Sequence, residues 1–135
     1  MSVQQQYILM AGGDPDDQYI TTATLAELGY NIPVRFLTQS NELPEYLATH
    51  EAPVLLLLDY NATPVNAVEL LKQLKAGNTH KHIPVVILSN VASPQYVKEC
   101  YGLGAVSFIV KPSGMEATRE KIAVFFRYWF SVAEI

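Results

Sequence analysis

Residues 54–61, Val-Leu-Leu-Leu-Leu-Asp-Tyr-Asn, decide how this chain folds. Val54 and the four leucines after it form an unbroken apolar run that stops at the carboxylate of Asp59. A run this short, set between Pro53 and the turn-forming stretch from Asn61 to Pro64, fits a strand buried on both faces of a parallel sheet. Asp59 then stands at the strand's carboxyl end, the edge where open parallel sheets gather their sites. Aspartate also commonly stops a strand and opens a turn, so on this stretch alone the two readings are even.

Working outward, runs of the same kind lie at 7–11, 34–38, 85–88 and 106–110. Helical patterns separate them. The first opens at Asp14-Pro15, a capping residue followed by proline at the first helical position, and closes at Gly29, with Ile20, Leu25 and Leu28 as its buried stripe. The second covers about 41–49, with Leu43, Tyr46 and Leu47. The third covers 66–76, with Val68, Leu70, Leu71 and Leu74, and Gly77 ends it. The fourth runs from Ser93-Pro94 to Gly102, and the last from about Met115 toward the C-terminus. Regular alternation of strand and helix is the pattern of a parallel sheet covered by helices on both faces.

Composition narrows the function classes. At 135 residues the chain is expected to be a single domain, 1–135, burying roughly 65–70% of its unfolded surface. Half of its residues are hydrophobic and 16% are charged, which suits a folded globule. A net charge of −4 argues against nucleic-acid binding, because no basic patch would neutralise phosphates. The longest apolar runs, about five residues, fall far short of the roughly 20 that span a membrane. The start, Met-Ser-Val-Gln-Gln-Gln, lacks the basic and apolar regions of a signal peptide. The single cysteine, Cys100, excludes an internal disulfide, suits a reducing compartment and sits in a helical pattern with Tyr96 and Val97 that points to packing. A cytoplasmic location is the expectation. His80 and His82 read as loop residues, since no further ligand has metal-site spacing.

In a parallel sheet the strand ends converge on one rim. Strand one delivers Gly12, Gly13 and Asp14, strand three Asp59, strand four Ser89 and strand five Lys111 before Pro112. A carboxylate, a hydroxyl and an ammonium therefore meet around one pocket. Here the chain resembles the receiver domain of two-component response regulators over essentially its whole length. The matching motifs are Asp59-Tyr60-Asn61 after the apolar strand, Ile83-Pro84 leading to Ser89, Gly104-Ala105 leading through Phe108 to Lys111-Pro112, and Val68-Glu69-Leu70-Leu71. The resemblance implies a flavodoxin-like receiver fold, α/β and doubly wound, with a five-stranded parallel sheet in the order 2-1-3-4-5.

By that resemblance Asp59 is the nominal phosphoacceptor, Ser89 the hydroxyl that hydrogen-bonds the phosphoryl oxygens, Lys111 the lysine that pairs with them and Phe108 the switch aromatic. The family uses Mg²⁺ to neutralise the charge that develops when a carboxylate attacks a phosphoanhydride. The metal is held by the acceptor, by an acidic pair after the first strand and by a backbone carbonyl, which Asn61 would supply here. The Lys111–Pro112 bond is often cis in the family, which proline permits.

The departure lies in the first loop, where Gly12 and Gly13 stand in place of the acidic pair. Asp14, Asp16 and Asp17 follow, and each has a local explanation: Asp14 caps the helix, and Asp16 and Asp17 favour its positive end. Asp14 is also the tentative substitute metal ligand, swung in by the flexible glycines. One carboxylate and one carbonyl would hold Mg²⁺ weakly or not at all, so phosphoryl chemistry is expected to be slow or absent. Thr63 where the family usually has proline, Pro64 one place late and Ala67 in place of a common glycine are smaller departures. The diglycine turn matches neither a dinucleotide nor a Walker pattern, and no other cofactor site is expected.

The last helix carries a core stripe of Ile122, Phe125, Phe126 and Trp129 and a second apolar line of Val124, Tyr128 and Val132. That second line serves either core depth or a partner. The leading expectation is a stand-alone receiver, without an effector domain, in a phosphorelay. Its partners would be a sensor histidine kinase or phosphotransfer protein, a downstream protein target, and a second copy docked through the fourth helix, fifth strand and fifth helix. The alternative is a phosphorylation-independent pseudo-receiver that works as an interaction module. A flavin-binding or small enzymatic α/β domain is a third, less supported class: no nucleophile–base pair suggests hydrolysis, and the chain is not expected to be an enzyme.

Overall fold

The computed structural model describes residues 6–133. The segment inspected above for a leader lies almost wholly outside these residues. Five strands, β1 (Ile8–Ala11), β2 (Val34–Leu37), β3 (Leu55–Asp59), β4 (Val85–Ser89) and β5 (Ser107–Val110), form one sheet in the order β2-β1-β3-β4-β5. All four pairings are parallel. Four helices connect them, α1 (Pro15–Glu27), α2 (Leu43–Thr49), α3 (Ala67–Ala76) and α4 (Pro94–Gly102), and α5 (Met115–Arg127) follows β5. The five-stranded, doubly wound arrangement and its strand order are those expected.

Side-chain alternation explains why the strands are continuously apolar. Leu56 and Leu58 share a core with Leu9, Ala11, Val85 and Ile87, closed by Leu43, Leu47, Leu70, Leu71 and Cys100 from α2, α3 and α4. Leu55 and Leu57 share the opposite core with Ile8, Met10, Val86, Leu88 and Ile109, closed by Ile20 and Leu25 from α1 and by Ile122 and Phe126 from α5. Each consecutive residue thus serves a different face, and the central strands have no polar side to spare. Cys100 is fully buried, and that burial pushes its thiol up to about 11, as suits a packing residue.

The starts of α1 and α3 follow the capping rules. The Asp14 side chain accepts from the Asp17 N–H at 2.8 Å, with Pro15 next in line, and Asn66 accepts from the Glu69 N–H at 2.9 Å. Gly29 ends α1 at φ +80°, a left-handed turn suited to glycine. Gly77 ends α3 differently, on extended backbone at φ −83°. The second helical segment opens with a 3₁₀ turn, Ser40–Glu42, so α2 itself is shorter than its pattern suggested.

The last helix corrects an ambiguity and extends the pattern. Ile122 and Phe126 are buried while Phe125 and Trp129 are only partly covered. Val124, Tyr128 and Val132 are exposed, so the second apolar line is surface and not core. After Arg127 the chain continues as a π-helical turn, Tyr128–Val132. The cis peptide bond among the described residues is Thr63–Pro64; Lys111–Pro112 is trans, contrary to what the resemblance suggested, with the Lys111 N–H continuing the sheet by donating to Ser89 O at 2.8 Å. No helix among the described residues is long and apolar enough to cross a membrane.

Candidate functional site

The carboxyl rim is assembled by strand register. Asp59 ends β3 opposite Leu88, and Ser89 pairs with Val110 on β5, one residue before Lys111. The sheet therefore brings Asp59, Ser89 and Lys111 to one edge. Asp59 is half-buried, and its Oδ1 accepts from the Asn61 N–H at 2.9 Å, so the residue whose carbonyl was expected to serve a metal also satisfies the acceptor through its amide. Ser89 is 1% exposed, and its hydroxyl donates to Val91 O and accepts from the Val91 N–H, both at 3.0 Å. That hydroxyl closes its own loop.

Lys111 makes the decisive contact. Its Nζ donates to Asp17 Oδ2 at 2.7 Å, and the side chains of Lys111 and Asp17 are only 8% and 10% exposed. Asp17 is thus more than an acid near a helix dipole. Its periodicity held the signal, since Asp17, Ile20, Thr21 and Thr24 share the buried face of α1 at helical spacing. A carboxylate on that stripe needs a cationic partner, because a buried unpaired charge is costly. Asp14, the tentative metal ligand, is instead engaged as the cap of α1.

Burial raises the proton affinity of Asp59 above that of an ordinary aspartate. The Asn61 amide and the Lys111 charge oppose this rise, and the charges of Asp17 and Asp14 add to it. Lys111 acts on Asp59 through space while its hydrogen bond goes to Asp17.

The diglycine has a steric partner that the sequence reading passed over. Gly12 adopts φ +84°, and a Cβ placed there would lie 2.7 Å from Ala62 Cβ, 3.1 Å from Ala62 Cα and 3.5 Å from Asp59 Cβ. The space beside Asp59 that a side chain at position 12 would enter is filled by buried Ala62. Among the described residues no group of three or more histidine, cysteine, aspartate or glutamate side chains is arranged to hold a metal. The donor set does not fit the divalent cation used by receivers: Asp59 and the Asn61 carbonyl are the candidates left, and Mg²⁺ favours a near-ideal octahedron built with carboxylate help.

Phe108 is half-buried and belongs to an aromatic series. Its ring lies 6.1 Å from that of Tyr60, which stacks on Tyr96 of α4 at 5.0 Å and 22°. The Phe108 N–H donates to the Tyr101 hydroxyl at 3.1 Å. Tyr60, directly after Asp59, thereby links the rim to α4 and β5.

Comparison with known proteins agrees with this layout. The sequence profile of the response regulator receiver domain matches residues 8–123. The chain is 29% identical over 101 residues to the chemotaxis protein CheY1 of Helicobacter pylori, covering 75% of this chain and 81% of that one. It is 43% identical over 68 residues to a protein-glutamate methylesterase/protein-glutamine glutaminase of Treponema denticola, which is 49% of this chain and 18% of that protein. In structure it is similar to the phosphorylated cyanobacterial phytochrome response regulator RcpA, with a TM-score of 0.88, 24% identity and coverage of 97% and 98%. Profile and fold together place the chain in the response regulator receiver domain family of two-component signalling.

Proposed function

We propose that this chain is a receiver that signals through protein contacts, and whose state is set without Mg²⁺-dependent phosphorylation of Asp59. The observation that carries this reading is the buried Asp17–Lys111 ion pair at 2.7 Å. The ammonium that a phosphoryl group on Asp59 would require already has a carboxylate. The glycines at 12 and 13 remove the remaining acids, so the negative charge of a transferring phosphoryl group meets little compensation. No catalytic role is assigned to the rim, and the proposed location is the cytoplasm, where two-component phosphotransfer partners operate.

A second reading keeps Asp59 as the acceptor in a phosphorelay, supplied by a sensor histidine kinase or phosphotransfer protein. It is favoured by the half-exposed carboxylate of Asp59, with Ser89 and Lys111 following on the next two strands. In either case output passes to a protein target. The exposed apolar side chains of Tyr101 on α4, Val106 at the entry to β5, and Val124 on α5, continued by Tyr128, offer a docking face that would also serve a homodimer.

Three measurements test this account. After incubation with acetyl phosphate and Mg²⁺, intact-mass analysis should show no phosphoryl adduct, with Asp59→Asn as the control. An adduct on the native chain that is absent from Asp59→Asn would establish the phosphorelay reading in its place. The same variant tests the electrostatics. Because the folded pKa of Asp59 is raised, its favourable contribution is full below the unfolded value and is lost as pH rises through the folded one. Asp59→Asn should therefore raise Tm near pH 7, with the gain shrinking toward about pH 4; a gain independent of pH would contradict this. Light scattering across a concentration series should show a mass rising from 15.0 kDa toward twice that value, and Val124→Glu should abolish the rise. A constant monomer mass would remove the homodimer from the proposal.

A further inference from the structure

We infer that the outer edge of β2 is a docking site for an extended segment of a partner protein, one that carries an apolar residue and a lysine or arginine three positions apart. The site lies at the far edge of the sheet from β5 and does not depend on the state of Asp59.

The two edges of the sheet are treated unequally. At β5, the Lys111 N–H donates inward to Ser89 O, so Phe108 and Val110 turn their backbone groups outward. Side chains from the flanking helices meet both. The Tyr101 hydroxyl accepts from the Phe108 N–H at 3.1 Å, and Lys121 Nζ donates to Val110 O at 2.5 Å. At β2, Pro33 O and Leu37 O accept from the Ile8 and Gly12 N–H groups at 2.9 and 3.3 Å, so Val34 and Phe36 face away from β1. Among the described residues no strand lies beyond them. The charged side chain of β2 does not guard this edge either. Arg35 is drawn over the Tyr7 ring at 4.7 Å and donates to the Tyr46 hydroxyl at 3.1 Å, while Phe36 leaves 37% of its surface exposed. An apolar edge left open in this way is a template for another strand.

An added strand would send its side chains alternately to the two faces of the sheet, where pockets select them. Each face has a cavity beside β2, one near each end of the strand. On the face covered by α1, about 220 Å³ is lined largely by Leu25, Ala26, Ile32, Pro33 and Val34. On the face covered by α2, about 240 Å³ is lined by Leu37, Tyr46, Thr49 and His50 together with Glu42 and Glu45. Neither glutamate belongs to an ion pair among the described residues. Positions opposite Val34 and Leu37 are separated by an odd number of residues, so their side chains fall on opposite faces, as the cavities do. The first cavity takes an apolar side chain and the second takes a cation.

Two blocked six-residue peptides test this, built of threonine except for one isoleucine and one lysine. The isoleucine stands three positions before the lysine in one peptide and three after it in the other, to suit a parallel and an antiparallel added strand. In a titration of the labelled native chain, one of them should shift the Val34 and Phe36 amides and slow their hydrogen exchange, leaving Phe108 unchanged. N-methylation of the alternate peptide residues that face β2 should abolish binding, whereas methylation of the other set should not. Glutamate in place of the peptide's lysine should weaken binding about fivefold, and Glu42→Lys with Glu45→Lys should restore it.

Binding by neither peptide, equal effects of the two methylated sets, or affinity unmoved by the charge reversals would overturn the inference. So would shifts at β5 in place of β2. Slow exchange of Val34 and Phe36 in the free chain that strengthens with protein concentration would also overturn it, since a second copy would then hold the edge.

Discussion

A buried ammonium must find a carboxylate, and at this rim the carboxylate comes from the first helix. Removing a lysine from water costs several kcal/mol, an expense that only a close and well-oriented counter-charge offsets. Asp17 supplies it at 2.7 Å, with both side chains almost wholly covered. The contact ties α1 to the end of β5 and fixes where the rim's positive charge resides. Asp59, half-buried at the end of β3 with β4 between it and β5, is left with an amide from Asn61 and the field of Lys111. Burial raises the proton affinity of Asp59, and the charges of Asp17 and Asp14 add to that rise.

The sheet and the loops have separate roles. Consecutive apolar residues, shared between two cores, hold β1, β3 and β4 rigidly, so the strand ends reach the same edge whatever the loops contain. Loop residues then decide what that edge can do. Gly12 admits the Ala62 methyl, Ser40 pins the loop that carries it, and the Ser89 hydroxyl closes on Val91. Tyr60 and Tyr96 carry the rim's position to α4 through ring stacking. The strands therefore hold this architecture with glycines at 12 and 13 in the first loop.

The apolar runs and capping residues made the architecture legible. The residues from Val54 to Asp59 had to be a two-faced strand, and Asp14-Pro15 and Asn66 had to open helices, because local chemistry determines each. The strand order came from the family resemblance and not from periodicity. At the rim, the convergence of Asp59, Ser89 and Lys111 was readable because it depends only on strand ends. The partner of Lys111 was missed because Asp17 had a sufficient local explanation near the helix start, although its place on the buried stripe of α1 marked it. Ala62 left no sequence signal, since its role depends on how two loops approach in space. The exposure of Val124, Tyr128 and Val132 was likewise undecided until the position of α5 against the sheet was known.

The account turns on whether Asp17 and Lys111 depend on each other for stability. A double-mutant cycle of Asp17→Asn and Lys111→Met, read by denaturant unfolding at neutral pH, measures that dependence directly. The expected result is a coupling of about 2 kcal/mol, with each single change costing more than the pair would suggest by addition, because each leaves a buried charge alone. A coupling below about 0.5 kcal/mol, the level seen for independent sites, would contradict the account and return Lys111 to Asp59.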